Sequence, residues 1–232
     1  MISIENTSIG FNTHLISANG ICFEKGKVHA LMGKNGIGKS AFLRTLSGLI
    51  HPLKGSIQID GKEIMQYKGA DLARKISFVN SVQQGVPYLT VDAFLLLART
   101  NYTTIFGKYS DEDFACIREA KSKFKISHLS EKYTDELSSG ELQLCAIAKA
   151  YVQGTDFILL DEPTSHLDYS NKRKVYELLV EIATNEDKGV LISTHDIDMA
   201  FKFPFEYCLL DSNTKEMRWI KSMEDIEIEF NT

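Results

Sequence analysis

The segment Gly33-Lys34-Asn35-Gly36-Ile37-Gly38-Lys39-Ser40 constrains this chain more than any other. It follows a short apolar run, Val28 to Met32, and leads into a helical pattern carrying Phe42, Leu43, Leu46 and Leu49, ended by Gly48 and His51-Pro52. Its glycines let backbone N–H groups turn inward, at the positive end of the helix that follows. The spacing G-x-x-x-x-G-K-[ST] predicts a cradle for a polyphosphate, with Lys39 reaching the β and γ phosphates and the Ser40 hydroxyl ligating Mg2+. A plain glycine turn beside a helix is the alternative, and the flanking strand and helix count against it.

A second apolar run, Phe157-Ile158-Leu159-Leu160, ends in Asp161-Glu162. A strand buried on both faces presents such a pair at the carboxyl edge of a parallel sheet, where open α/β folds bind ligands. Asp161 is the candidate metal ligand, directly or through water, and Glu162 the candidate to orient and deprotonate an attacking water. Alone, an acidic pair is more often a turn or a helix start; beside the glycine loop the balance reverses. Ser138 and Glu141, in Leu137-Ser138-Ser139-Gly140-Glu141, read as a capping box opening a helix that runs to Val152. That does not exclude function, because a helix N-terminus with a hydroxyl is also an anion site. His195 directly follows the apolar run Val190 to Ser193, a position where a single histidine is more often structural.

Composition narrows the setting. With 232 residues, 44% hydrophobic and 25% charged, the chain is neither disordered nor fibrous. A net charge of -5 argues against holding nucleic acid or anionic lipid by charge, and no nucleic-acid partner is expected. No run approaches the roughly 18 apolar residues that span a bilayer. Met1 to Asn6 lacks the basic start and apolar stretch of a secretory signal. Cys22, Cys116, Cys145 and Cys208 form no CxxC pair and read as buried, reduced thiols in a cytosolic chain.

The rest of the chain supplies a frame. Alternation at Ile2-Ser3-Ile4 and Ile21-Cys22-Phe23, punctuated by Asn19-Gly20 and Glu24-Lys25-Gly26-Lys27, predicts antiparallel strands. From about Pro87 to Gln153 the pattern is helical: Val91 to Arg99, Asp111 to Phe124 and Glu141 to Val152. A further amphipathic helix, Asn171 to Ala183, separates the two later strands. Alternating strands and helices predict an α/β core with a parallel sheet.

Taken in this order, the four motifs resemble those of the ATP-binding cassette (ABC) ATPases, and the resemblance covers essentially the whole chain. It implies an α/β fold: a RecA-like P-loop core with an antiparallel β subdomain and an inserted α-helical subdomain. Residues 1–232 would form one ABC ATPase domain, with about 1–85 and 154–232 as core and β subdomain and about 86–153 as helical subdomain. The cofactors implied are ATP and Mg2+, with two ATP molecules held between the subunits of a head-to-tail homodimer.

The resemblance also implies roles. Phe11, after Gly10, matches the aromatic that stacks on adenine, and Gly33, Lys34, Asn35, Gly36, Ile37, Gly38, Lys39, Ser40 and Ala41 match the phosphate loop. Ser138, Gly140 and Glu141 match the signature that meets the γ-phosphate held by the opposite subunit. Asp161 and Glu162 match the metal-linked acid and the catalytic base, and His195 the switch histidine at the γ-phosphate. Ser165-His166-Leu167-Asp168 resembles the loop coupling the two sites.

Several positions depart from the pattern. Ser139 and Glu141 stand where the signature usually has Gly and Gln, and Ala41 where a threonine is common. After Ile76-Ser77-Phe78-Val79 the family has Pro-Gln, and this chain has Asn80-Ser81, with Gln83 and Gln84 beyond. Either Ser81 meets Mg2+ through a water, or the loop shifts and Gln83 becomes the metal-site residue.

Leu89-Thr90-Val91 to Leu97-Ala98-Arg99-Thr100, followed by Phe106-Gly107-Lys108 and Asp111-Glu112-Asp113, resembles importer ATPases for iron-siderophore, haem and vitamin B12 complexes. The expectation is an ATP-hydrolysing subunit held at the inner face of the cell membrane by an integral permease. An extracytoplasmic substrate-binding protein would act through that permease. The tail after Trp219 is short and acidic (Glu224, Asp225, Glu227, Glu229), without sign of a regulatory domain. The competing readings are a soluble mechanochemical switch, an exporter subunit, and a kinase using only the phosphate loop. The last leaves the signature, Asp168 and His195 without a purpose.

Overall fold

The computed structural model describes residues 1–11, 13–103 and 107–222. Phe106 and the acidic tail residues Glu224, Asp225, Glu227 and Glu229 lie outside the described residues.

Two sheets share the chain. The first is antiparallel: β1 (Ile2–Gly10) pairs with β3 (Ile21–Phe23) along its first residues and with β2 (His14–Ala18) along its last. On its other edge β1 pairs with β5 (Lys54–Ile59), which carries β6 (Lys62–Glu63). The expected antiparallel strands are these. The second sheet runs β11-β10-β4-β9-β8-β7, formed by β4 (Val28–Met32), β7 (Ile76–Val79), β8 (Phe157–Asp161), β9 (Gly189–Ser193), β10 (Glu206–Leu210) and β11 (Met217–Ile220). It is parallel except for β11.

Alternation along the parallel strands divides the core into two layers. Phe157 and Leu159 of β8 face one cluster, with Leu31, Leu191, Cys208 and Leu210, against the antiparallel sheet. Ile158 and Leu160 face the other, with Ala30, Val190, Ile192 and Leu209. Helix α1 (Lys39–Leu46) lies in the first cluster and buries Phe42, Leu43 and Leu46 completely. At about 1.5–3 kcal/mol per fully buried large side chain, those three fasten the helix after the glycine loop to the sheet.

A short turn of helix, α2 (Gly69–Leu72), precedes β7, and the helical segment beyond β7 contains α3 (Val91–Leu96), α4 (Asp111–Lys123) and α5 (Ser139–Val152). The helix expected to reach Arg99 tightens instead into a 3-10 turn from Leu97 to Tyr102. There the hydroxyls of Thr100 and Thr103 take the carbonyls of Leu97 and Thr100, competing with the α-helical ladder. Arg99 stitches the segment together: Nε donates to Asp113 Oδ1 (2.7 Å) and Nη1 to the Val152 carbonyl (3.1 Å). Helix α6 (Tyr169–Asn185) is longer at both ends than its amphipathic pattern; at its N-terminal end Asp168 caps it. The short α7 (Ile197–Ala200) follows β9.

All four cysteines are free thiols, but only Cys145 and Cys208 are buried; Cys22 and Cys116 are half-exposed at the sheet edge and on α4. Burial pushes the Cys145 thiol up to about 12, so it is no nucleophile.

Candidate active site

Strands β4, β9 and β8 are neighbours and parallel, so the loops after them leave the same sheet edge together. Those loops carry the phosphate loop, His195 and Asp161-Glu162. Sequence distance is cancelled by register: Ser193 pairs with Leu31 on one side and with Asp161 on the other.

The phosphate loop is held open from within. Gly33, Gly36 and Gly38 all have positive φ (148°, 80° and 118°). A Cβ on Gly33 would lie 2.7 Å from the Leu210 carbonyl oxygen, so the loop's first position requires glycine twice over. Lys39 is buried and donates to the carbonyls of Gly33 (2.7 Å) and Lys34 (3.2 Å), preforming the turn. Burial lowers its pKa, and the nearby carboxylates of Glu162 and Asp161 pull the other way. A cleft of about 250 Å3 opens over this loop, lined by Asn35, Gly36, Gly38, Lys39, Ser40 and Ala41, and by Phe11, Leu15, Arg44 and Glu162. Phe11 is 57% exposed, offering a free aromatic face beside the phosphate loop. Gly10, the last residue of β1 just before it, must be glycine, because a Cβ there would run into the Thr13 carbonyl.

Asp161 is 1% exposed. Its Oδ1 accepts a 2.6 Å hydrogen bond from the Ser193 hydroxyl, while Oδ2 is buried without a protein partner. A carboxylate oxygen left bare in a buried site fits a cation or its bound water. Glu162 adopts the left-handed backbone region (φ 49°), and its N–H donates to Ser193 Oγ at 2.9 Å. Its carboxylate lines the cleft, with Oε2 3.4 Å from His195 Nδ1.

A second layer holds these loops. The buried Tyr176 hydroxyl donates to Thr194 Oγ1 (3.1 Å) and lies 3.3 Å from Thr164 Oγ1, tying the loop after β8 to the loop after β9. Sequence reading missed Leu15, Arg44, Ser193, Thr164 and Tyr176. Four are ordinary strand or helix residues and Thr164 lies in the turn after β8, and only the fold makes them neighbours of the site.

Other expected residues lie elsewhere. Ser138, Gly140 and Glu141 form the first turn of α5 and do not line this cleft; Gly140 packs on Leu167, whose Cδ2 would lie 3.1 Å from a Cβ there. Asp168 caps α6 through the Asn171 N–H (2.8 Å) and also stays outside. Gln83, one of the two metal-site alternatives, is not brought to Asp161 and Ser40. Its amide donates to the Asn80 carbonyl (2.7 Å), and its side chain lines a separate cleft with Phe78, Phe94 and Lys149. Only Ser81 and Val82 separate Asn80 from Gln83, so this hydrogen bond closes the loop on itself. A larger cavity, about 400 Å3 between α4, α5 and α6, contains none of the motif residues.

A preformed anion loop, a buried acid with one bare oxygen and a base on the cleft wall suit hydrolysis of a nucleoside triphosphate. Comparisons agree. The family described as ABC transporter matches residues 18–165. The petrobactin import ATP-binding protein YclP of Bacillus subtilis (strain 168) is 33% identical over 201 residues, 86% of this chain and 79% of that one. The iron(3+)-hydroxamate import ATP-binding protein FhuC of the same organism is 30% identical over 214 residues, 92% of this chain and 80% of that one. The solved structure of a metal-chelate type ABC transporter in an inward-facing conformation superposes with a TM-score of 0.82 at 26% identity, covering 99% of this chain and 88% of that one. This chain belongs to the ABC transporter family, as an ATP-binding subunit that is an ATPase.

Proposed function

We propose that this chain is the ATP-hydrolysing subunit of an importer for an iron-siderophore, haem or cobalamin complex. The observation that carries the cycle is the separation within one chain of the phosphate cleft from the first turn of α5. Ser138 and Gly140 do not reach their own cleft, so a second copy, head to tail, would supply them. Binding of MgATP then closes two copies on each other.

Within each cleft Phe11 stacks on adenine, which requires only an aromatic face. The loop N–H groups and Lys39 hold the phosphates. Ser40 Oγ and the bare Oδ2 of Asp161 would hold Mg2+, and the chemistry such an ion supplies is neutralisation of charge on the β and γ oxygens. Glu162 takes a proton from the water that attacks the γ phosphorus, as the bond to the bridging oxygen breaks to leave ADP. His195 steadies the Glu162 carboxylate and meets the γ phosphate on closure. Hydrolysis removes the contact that joins the copies, and they part.

Among the described residues no helix is long and apolar enough to cross a membrane. The opening and closing would be transmitted to a separate permease at the inner membrane face, with an extracytoplasmic binding protein delivering cargo to it. The cargo class rests on the Val91 to Asp113 resemblance and on relatives named for siderophore import. Co-purification tests it: tagged chain extracted from native membranes in mild detergent should bring a polytopic permease in stoichiometric amount. Ribosomal or DNA-repair proteins instead would favour a soluble mechanochemical switch.

A further inference from the structure

Ser138 gives both of its donors to one carboxylate oxygen. Its hydroxyl donates to Glu141 Oε2 at 2.7 Å and its backbone N–H donates to the same atom at 2.9 Å. The Glu141 N–H reaches back to Ser138 Oγ at a longer 3.3 Å. An ordinary capping box uses the serine hydroxyl as acceptor; here its proton is also spent on the glutamate. The hydroxyl and then the backbone N–H of Ser138 hold the Glu141 carboxyl below the usual range, outweighing burial, with Lys132 and His128 acting in the same sense. An ionised carboxylate therefore sits at the positive end of a 14-residue helix, on the donors an external anion would use.

We propose that Glu141 is a built-in competitor for the phosphate brought by a second copy, and that it sets how readily two copies close on MgATP. The proposal rests on the reading that Ser138 completes a second copy's site. On closure the Ser138 hydroxyl must exchange one charge-assisted hydrogen bond for another, so little is gained. The displaced carboxylate also faces a polyphosphate across an interface that is losing water, where like charges repel strongly. A glutamine would keep an acceptor for the Ser138 N–H without the charge. Glu141 thus acts on the closing equilibrium and not on the proton transfer.

The test is sedimentation of the full chain over a range of protein concentrations in MgATP, in the Glu162→Gln background so that nucleotide persists. Glu141→Gln and Glu141→Ala are compared with the parent at equal ATP saturation. Both should lower the dimer dissociation constant by about tenfold. The gap should narrow as salt is raised from about 0.05 to 0.5 M. If the parent dimerises and neither variant shifts the constant, the inference is overturned while the role of Ser138 stands. If only Glu141→Gln tightens the dimer, a new amide contact is responsible and the inference again falls. If no form dimerises, it falls together with the reading it rests on.

Discussion

Ser193 Oγ donates to Asp161 Oδ1 at 2.6 Å and accepts the Glu162 N–H at 2.9 Å. One strand hydroxyl thereby orients the acid and anchors the base, while the second oxygen of Asp161 keeps no protein partner. The left-handed backbone at Glu162 costs roughly 1–2 kcal/mol for an L-residue, and the Ser193 bond helps to hold it. The β8–β9 pairing sets Ser193 opposite Asp161, and Glu162 follows as the first residue beyond the strand.

Ser193→Ala should leave a buried carboxylate oxygen without its donor. Loss of about 1–3 kcal/mol in folding stability is expected, with kcat lowered at least about tenfold as Glu162 loses its anchor. Urea denaturation and steady-state ATPase assays measure the two effects. Turnover within twofold of the parent would separate Ser193 from catalysis.

Lys39→Ala should lower ATP affinity at least about a hundredfold while the chain stays folded. The lysine bridges the two carbonyls of the loop and supplies the buried positive charge of the cleft. Titration with a fluorescent ATP analogue tests this. Unchanged affinity would overturn the phosphate-loop assignment.

Much of this site was readable because its residues are contiguous. Gly33 to Ser40 and Asp161-Glu162 declare themselves by local spacing after apolar runs. Ser193 does not, since a serine closing the run Val190 to Ser193 carries no local signal; its role exists only through register with Asp161. Glu206 to Leu210 and Met217 to Ile220 were not singled out, although the first extends the parallel sheet beside β4. The 3-10 turn at Leu97 to Tyr102 depends on threonine hydroxyls competing for carbonyls, which hydrophobic periodicity does not register. The Gln83 loop shows the opposite limit. Residue type suggested a metal-site role, and the loop's own closure on Asn80 turned the amide away.

Asp113→Asn tests the helical segment. Asp113 is 2% exposed, and although burial raises its pKa, hydrogen bonds from Ser110 and Arg99 lower it further. A depressed carboxyl contributes stability that is full above the unfolded value, near 3.9, and is lost as pH falls through the folded value below it. The variant should be about 3 kcal/mol less stable at neutral pH, because Arg99 is left half-buried and unpaired. The gap should narrow progressively as pH falls below the unfolded value. A gap that persists undiminished in acid would contradict the ion-pair account.

Glu162 as the base is the centre of the account, and Glu162→Gln tests it most directly. Single-turnover hydrolysis of radiolabelled MgATP should slow by about 10^2-fold or more, with ATP still bound and the chain accumulating as a dimer. A variant that hydrolyses ATP at the parent rate and stays monomeric in MgATP would show that another group takes the proton.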